Sequence, residues 1–161
     1  GFLVNRALLP YIFKAIEAVA GGENADHIDE ALVDFGMPMG PVELADQIGL
    51  DVCLDAGIVL GIAPAAKTLL DEKCKAGTIG RKSGSGFYEW DGNQAIRARQ
   101  SQDPSVMASI AKSMLTPMIE ECRQAVDEQV VDSADSADAG MIFGIGFPGF
   151  RGGPLNWAKE Q

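Results

Sequence analysis

The sequence has very little histidine and cysteine. His27 is the only histidine, and the three cysteines, Cys53, Cys74 and Cys122, form no CxxC pair. His27 lies in the helix-start segment ADHID, where we expect a solvated or capping role. A catalytic triad, an HExxH metal site and a disulfide framework each need residues or spacings that this chain lacks. We therefore expect no metal site, and we expect the thiols to be buried in a reducing compartment.

Basic residues are also scarce, with 13 Lys and Arg against 23 Asp and Glu, which gives a net charge of -10. Nucleic acids and anionic membranes are bound by clustered cations that neutralise phosphates, so neither is an expected partner. No apolar run is long enough to span a membrane, and no secretion signal opens the sequence. We expect a cytoplasmic protein. The chain starts at Gly1 within a helical pattern and stops within another, so we expect it to be trimmed at both ends.

Apolar residues recur at spacings of three and four along most of the chain, which predicts a helical protein. Asn24 is placed to cap the second helix, and Pro41 suits the first position of the third. Strand-like sequence is confined to GFYEW, which begins at Gly86. The predicted helices cover residues 2–20, 25–35, 41–48, 51–60, 65–75, 106–130 and 134–143.

The two halves of the sequence match each other in three places, in the same order. A proline occupies the same position in the first matching pair, and a Gly-Pro step opens the third pair. The pairs are LLPYIFKAIEAV with LTPMIEECRQAV, DEALVDFGMP with DAGMIFGIGFP, and GPVELA with GPLNWA. This order predicts an internal duplication whose halves cover each other's apolar faces. We assign residues 1–92 to the first repeat, 93–104 to a linker and 105–161 to a second, degenerate repeat.

The segment GRKSGSGFYEW, residues 80–90, is rich in glycine and carries two cations. A phosphate-binding loop follows a strand and opens a helix, whose N-terminus helps to bind the anion. Here the order is reversed, because a predicted helix precedes the loop and an extended segment follows it. The glycines are therefore predicted to be turn residues that bring Phe87, Tyr88 and Trp90 back against the helices.

Asn5 and Arg6 form a polar pair in the otherwise apolar segment GFLVNRALLPY. An asparagine in the first turns of a helix can direct its amide at a ligand or a neighbouring domain. It can equally be a surface or capping residue, and the residues alone leave both interpretations open.

Four motifs, in the correct order, resemble one known family. GFLVNRALLPYIFKAIEAV resembles the segment that opens the C-terminal domain of 3-hydroxyacyl-CoA dehydrogenases. FGMPMGPVELADQIGLD and GRKSGSGFYEW are similar to that family's PMGP loop and its GKK-[ST]-G-x-G-F-Y segment. FGIGFPGFRGGPLNWA resembles the GxGFPPFRGG stretch of fatty-acid oxidation complex alpha subunits, with Gly149 in place of the second proline.

This resemblance implies an all-α fold of two tandem degenerate helical repeats packed together, of the 6-phosphogluconate dehydrogenase C-terminal-like type. It also implies NAD-dependent oxidation of an L-3-hydroxyacyl-CoA in fatty-acid beta-oxidation. In the family, NAD and a catalytic His-Glu pair belong to an upstream domain, which this chain does not contain. The doubled repeat favours the large alpha subunit of beta-oxidation, in which a hydratase and isomerase region would also lie upstream. We expect residues 1–161 to be catalytically silent without the NAD-binding domain.

The resemblance places the family's active-site asparagine on Asn5, near the catalytic histidine and the 3-oxygen of the substrate. The PMGP loop is expected to line the acyl-chain side of the cleft, although a helix-starting turn is an equally good interpretation. It comprises Pro38, Met39, Gly40 and Pro41. Arg81 and Lys82 could meet a phosphate of CoA, but the turn interpretation of their loop is favoured.

Two other functions stay open at this point. The module could chiefly be an assembly surface, pairing with the thiolase beta subunit or with a second copy of the chain. It could also be a free-standing helical binding protein that has no partner domain. For the dehydrogenase, the expected partners are an acyl-CoA substrate and the upstream NAD-binding domain.

Overall fold

A computed structural model describes residues 2–161 as a helical protein with one short two-stranded ribbon. The all-α prediction is confirmed. None of the helices in this range is long and apolar enough to cross a membrane. The helices are α1 (Phe2–Ala20), α2 (Ala25–Phe35), α3 (Pro41–Ile48), α4 (Leu50–Leu60), α5 (Pro64–Lys75), α6 (Pro104–Asp127), α7 (Ala134–Ile145) and α8 (Pro154–Lys159), and the strands are β1 (Glu89–Asp91) and β2 (Gln94–Ile96).

Local signals set most of the helix ends. The Asn24 side chain accepts hydrogen bonds from the backbone N–H groups of Asp26 and His27, at 2.8 and 3.2 Å, and so caps α2 as predicted. The long helix was predicted to start at residue 106, and α6 starts two residues earlier, at Pro104. Asp103 caps α6 by accepting a hydrogen bond from the Ser105 N–H. Pro104 occupies the first helical position, which suits proline because no partner is needed there for a backbone N–H.

The core lies between the two repeats, where α1 packs mainly against α6. Tyr11, Ile12 and Ile16 of α1 are fully buried there, as are Leu115 and Met118 of α6. These residues are the apolar stripes that the sequence periodicity predicted, and each repeat buries the stripe of the other.

A reciprocal contact joins the repeats at their helix ends. Gly36 ends α2 and Gly146 ends α7, both with positive φ angles. A Cβ atom on Gly36 would lie 2.9 Å from Cβ of Pro148, and one on Gly146 would lie 3.0 Å from Cγ of Pro38. Each repeat therefore offers the same Gly-x-Pro element to the other. This is the contact pattern of an approximate two-fold axis, and it confirms two similar repeats packed together.

The predicted linker, residues 93–104, is more ordered than its polar sequence suggested. It contains β2, which pairs antiparallel with β1 and places Glu89 opposite Ile96. Helix α6 begins at its last residue. The boundaries 1–92 and 105–161 stay a prediction, but the segment between them is fixed to the first repeat.

Arg97 explains why this segment is both polar and fixed. Its side chain is only 4% exposed and pairs with the carboxylates of Asp26 and Glu30, each at 2.9 Å, and of Glu43 at 3.2 Å. One guanidinium thus satisfies acidic groups on both α2 and α3. Arg97 makes buried ion pairs, and a count of polar residues cannot distinguish such a residue from one in a solvated linker.

Candidate functional site

Asn5 lies on the first turn of α1 with its side chain exposed. Leu3 and Ala7, on the opposite side of the helix, are buried and hold this turn in place. The Asn5 side chain borders an open groove of about 920 Å³. The structure therefore places the predicted site residue at a cavity, where its amide can reach a ligand.

The floor of the groove is apolar and is built from three elements. Leu9, Pro10 and Phe13 come from α1, and Pro117 comes from α6. The last residue of α4, Leu60, and Ile62 in the turn that follows complete it. Gly57 sets the position of this turn, because a Cβ atom there would lie 2.8 Å from Cγ2 of Ile62.

Arg6, next to Asn5, belongs to the packing between the repeats. Its Nε lies 2.9 Å from Oε2 of Glu121, and its guanidinium also pairs with Glu128 at 2.6 Å. The hydrogen bond from Arg6 lowers the pKa of Glu128 below its usual value. Arg6 and Glu121 also line the groove, where their charges balance each other, and Asn5 is the neutral polar residue at its border.

The four residues of the PMGP loop do not line this groove. Gly40 and Pro41 are buried at the start of α3, where a Cβ atom on Gly40 would overlap the side chain of Asp29. Pro38 is exposed and contacts Gly146 of the other repeat. The structure shows a helix-starting turn and does not bring the loop together with Asn5, so its contact with the acyl chain stays a prediction.

The glycine-rich loop is held by a carboxylate. Asp46 accepts hydrogen bonds from the backbone N–H groups of Phe87 and Tyr88, at 2.8 and 2.9 Å, and from Nε1 of Trp90 at 2.9 Å. Gly80 and Gly86 pass so close to Asp46 that a Cβ atom on either would overlap it. The glycines allow this close approach, and the aromatic residues fold back on the helices as the order of elements predicted.

Both cations of that loop have partners within the fold. Arg81 donates a hydrogen bond to Oδ1 of Asn93 at 3.2 Å, and Nζ of Lys82 lies 2.7 Å from Oδ1 of Asp51. Lys82 lowers the pKa of Asp51. The loop is therefore a turn that packs against the helices, and both of its cations contact other side chains of the protein.

Sequence reasoning missed the buried carboxylates. Burial raises the pKa of Asp29 to about 7, although hydrogen bonds from Tyr88 and from two backbone N–H groups oppose the shift. Oη of Tyr88 donates to Oδ2 of Asp29 at 2.7 Å, and these residues are 59 positions apart. The sequence signal for this burial was the position of Asp29, which is next to Ile28 on the apolar face of α2. These groups organise the fold and do not face the groove.

The fold defines a helical module with an open groove, bordered by the exposed amide of Asn5. A sequence model of the family described as "3-hydroxyacyl-CoA dehydrogenase, C-terminal domain" matches residues 1–90. The chain belongs to this family. The matched residues include Asn5, the PMGP loop and the glycine-rich loop.

Two solved structures share the fold over nearly the whole chain. The 3-hydroxybutyryl-CoA dehydrogenase from Escherichia coli K12 has a TM-score of 0.72 and 21% identity, over 99% of this chain and 52% of that one. The dehydrogenase part of multifunctional enzyme 1 from C. elegans has a TM-score of 0.71 and 25% identity, over 91% of this chain and 36% of that one. The chain therefore spans about half of the first protein and about a third of the second.

The second repeat does not carry a copy of the site. When Leu8 is matched with Leu115, as in the repeat alignment, Lys112 takes the position of Asn5. In the same register, Thr116 and Glu120 replace Leu9 and Phe13 of the groove floor, and both are exposed. The duplication thus preserves the helices but not the amide or its apolar groove.

Proposed function

We propose that this chain is the C-terminal helical module of an NAD-dependent L-3-hydroxyacyl-CoA dehydrogenase of fatty-acid beta-oxidation. In this proposal the enzyme is cytoplasmic and multifunctional, and the module closes the acyl-CoA site. One observation carries the proposal: the asparagine at the family's active-site position is exposed, borders a large apolar groove and has no counterpart in the second repeat.

NAD does not fit among the described residues. A dinucleotide site needs a strand, a glycine-rich turn and a helix in that order. The strands within residues 2–161 are β1 and β2, which form a short antiparallel ribbon and do not provide this arrangement. We therefore assign NAD to an upstream domain. The contribution of this chain is a wall of the acyl-CoA cleft and the amide of Asn5.

Asn5 acts through its Nδ2–H group. The amide is neutral and does not titrate, so it can hold the 3-oxygen of the substrate by a hydrogen bond without exchanging a proton. A fixed donor aimed at an oxygen on which charge develops stabilises the transition state more than the ground state. Asn5 is therefore a positioning and electrostatic group, and proton transfer belongs to the upstream His-Glu pair.

The test uses the complete natural polypeptide that contains these 161 residues. NAD-linked oxidation of L-3-hydroxybutyryl-CoA is measured for the parent and for Asn5→Asp, which keeps the side-chain shape but removes the N–H donor. We expect kcat to fall about a hundredfold or more. Asn93→Asp is the matched control, because Asn93 is exposed in the β1–β2 turn and contacts Arg81. Equal activity of the parent and Asn5→Asp would contradict the role of Asn5.

Subunit assembly is a second candidate function, favoured by apolar side chains on the surface of the second repeat. Phe143 and Phe150 are 89% and 79% exposed. Large exposed aromatic residues are typical of protein contacts, and the thiolase beta subunit and a second copy are the candidate partners. Sedimentation of the complete protein and of a Phe143→Ser variant tests this. Identical association by both proteins would contradict a role for this surface.

A further inference from the structure

A cavity of about 430 Å³ lies between the two repeats and shares no lining residue with the groove at Asn5. Its floor is aromatic, because Phe35 of α2 and Trp157 of α8 pack edge to face with their ring centroids 5.0 Å apart. Met107 and Ala111 of α6 form an apolar wall. All four of these side chains are buried, so packing with the core fixes the shape of the cavity.

Arg151 brings a positive charge to this cavity. It comes from an insertion in the second repeat, where four residues separate Pro148 from the Gly-Pro step, while one residue separates Pro38 from that step in the first repeat. The inserted residues include a short 3₁₀ turn, Gly149–Arg151. This turn carries Arg151 to the end of α2, where its Nε donates a hydrogen bond to the backbone oxygen of Phe35 at 2.8 Å. The cation is thus specific to the second repeat but contacts the first.

The guanidinium of Arg151 is held in one orientation. Its Cζ lies 3.9 Å from the centroid of the Phe35 ring and 5.1 Å from that of the Phe150 ring. Stacking on these rings and the hydrogen bond from Nε together fix the plane of the group. Within residues 2–161, Arg151 makes no ion pair and its side chain donates a hydrogen bond through Nε alone. The two Nη groups are therefore left to bind a further acceptor.

Other arginines that pack between helices are neutralised by carboxylates. Arg6 pairs with two carboxylates of α6, and Arg97 pairs with three carboxylates of α2 and α3. Asp34 lines the same cavity as Arg151, yet no carboxylate in the described part of the chain pairs with Arg151. A fixed guanidinium presents parallel N–H donors that match the two oxygens of a carboxylate. The free side of Arg151 thus indicates a ligand that carries an oxyanion.

We propose that this cavity binds a small carboxylate with an apolar body. The carboxylate lies against the Nη groups of Arg151, and the body lies against Phe35, Trp157 and Met107. The volume of about 430 Å³ is typical of small-molecule sites, which combine apolar walls with a few polar groups. Asp34 and the net charge of -10 disfavour a dianion, so a singly charged carboxylate fits better than a phosphate.

The test measures the binding of 4-phenylbutyrate, an aromatic carboxylate, to the complete natural polypeptide by isothermal titration calorimetry. The matched probe 4-phenylbutanamide has the same body without the charge. We expect the amide to bind about tenfold or more weakly, because it cannot accept charge-assisted hydrogen bonds from Arg151. The third probe, 3-phenylpropyl phosphate, has a dianionic head and should also bind more weakly than the carboxylate.

Four variants locate the probe. Arg151→Gln should weaken the carboxylate about tenfold and leave the amide unchanged. Ala108→Trp fills the cavity from an exposed position of α6, so it should remove the binding of both probes without disturbing the core. Ser113→Trp makes a similar change at an exposed α6 residue outside the cavity, and Leu9→Trp fills the groove at Asn5. Both should keep the affinity of the parent for the probe.

The remaining outcomes would overturn the proposal. If 4-phenylbutyrate did not bind at millimolar concentration, or if Ala108→Trp bound it as the parent does, the cavity would not take a carboxylate. Loss of binding in Leu9→Trp alone would place the probe in the groove at Asn5. Equal affinity for the acid and the amide would limit Arg151 to its contact with the end of α2. Tighter binding of the phosphate would contradict the carboxylate class. Enzyme activity is not measured here, so failure of the proposed function would leave these results unchanged.

Discussion

Asp29 and Asp138 perform the same task in the two repeats. Each carboxylate is buried and accepts two backbone N–H groups at the start of a helix that opens with Gly-Pro. A Cβ atom on Gly40 or Gly153 would overlap the corresponding aspartate. The hydrogen bonds to Asp29 come from Val42 and Glu43, both at 2.8 Å, and those to Asp138 come from Leu155 at 2.7 Å and Asn156 at 3.0 Å.

This relationship predicts the effect of removing each carboxylate. Asp138→Ala leaves two helix-start N–H groups without their acceptor and should lower the free energy of unfolding by about 2 kcal/mol or more. Asp29→Ala should cost more, because Asp29 also accepts a hydrogen bond from Tyr88. Urea unfolding measures both. The control is Asp103→Ala, an exposed cap of α6 that should cost about 1 kcal/mol. If Asp138→Ala lowered the free energy of unfolding no more than Asp103→Ala does, the buried carboxylate would not hold the start of its helix as described.

Asp29 should also make stability depend on pH. Burial raises its pKa from 3.8 to about 7, so the folded state holds a proton that the unfolded chain releases. The stabilisation is fully present below pH 3.8, the unfolded pKa, and is lost as the pH rises through about 7. The free energy of unfolding should fall between these values, and Asp29→Asn should remove that part of the slope. If the free energy of unfolding changed with pH equally in the parent and in Asp29→Asn, the pKa of Asp29 would not be raised by folding.

The docked glycine-rich loop depends on Asp46. Asp46→Ala removes the acceptor of three N–H groups, so residues 80–90 should lose most of their amide protection in hydrogen exchange. Lys82→Ala breaks only the exposed pair with Asp51 and serves as the control. Protection that survives in Asp46→Ala would mean that the aromatic residues alone hold the loop.

The three cysteines should differ in reactivity. Burial raises the pKa of Cys53 and of Cys122 to about 12, so these thiols are both shielded and protonated near neutral pH. Cys74 is half-buried. A thiol reagent should therefore modify Cys74 in the native protein and all three cysteines after denaturation. Rapid native modification of Cys53 or Cys122 would contradict their burial.

Local signals made most of the fold predictable, because the residues that cap and end helices act on their immediate neighbours. Asn24 and Gly36 are examples, and the repeats were visible because both carry their prolines at equivalent positions. The role of Arg97 was not predictable in this way. Its carboxylate partners on α2 and α3 lie 54 to 71 residues away, and no local pattern marks such pairs.

The site was only partly predictable. Family resemblance selected Asn5, since the residues alone left a surface role open. The groove could not be predicted, because its walls come from α1, the α4–α5 turn and α6, which meet only in the folded protein. The helix-starting role of the PMGP loop was predictable, because Pro41 suits the first position of α3, while its contact with the acyl chain stays a prediction.

In the proposed function, the first repeat alone supplies the active-site amide, while the second repeat contributes helical framework and part of the groove lining. The direct measurement is kcat of the complete natural polypeptide for Asn5→Ala and for Lys112→Ala, the equivalent position of the second repeat. We predict a fall of about a hundredfold or more for Asn5→Ala and an unchanged kcat for Lys112→Ala, with both variants folded. Equal rates for the two variants would contradict the account.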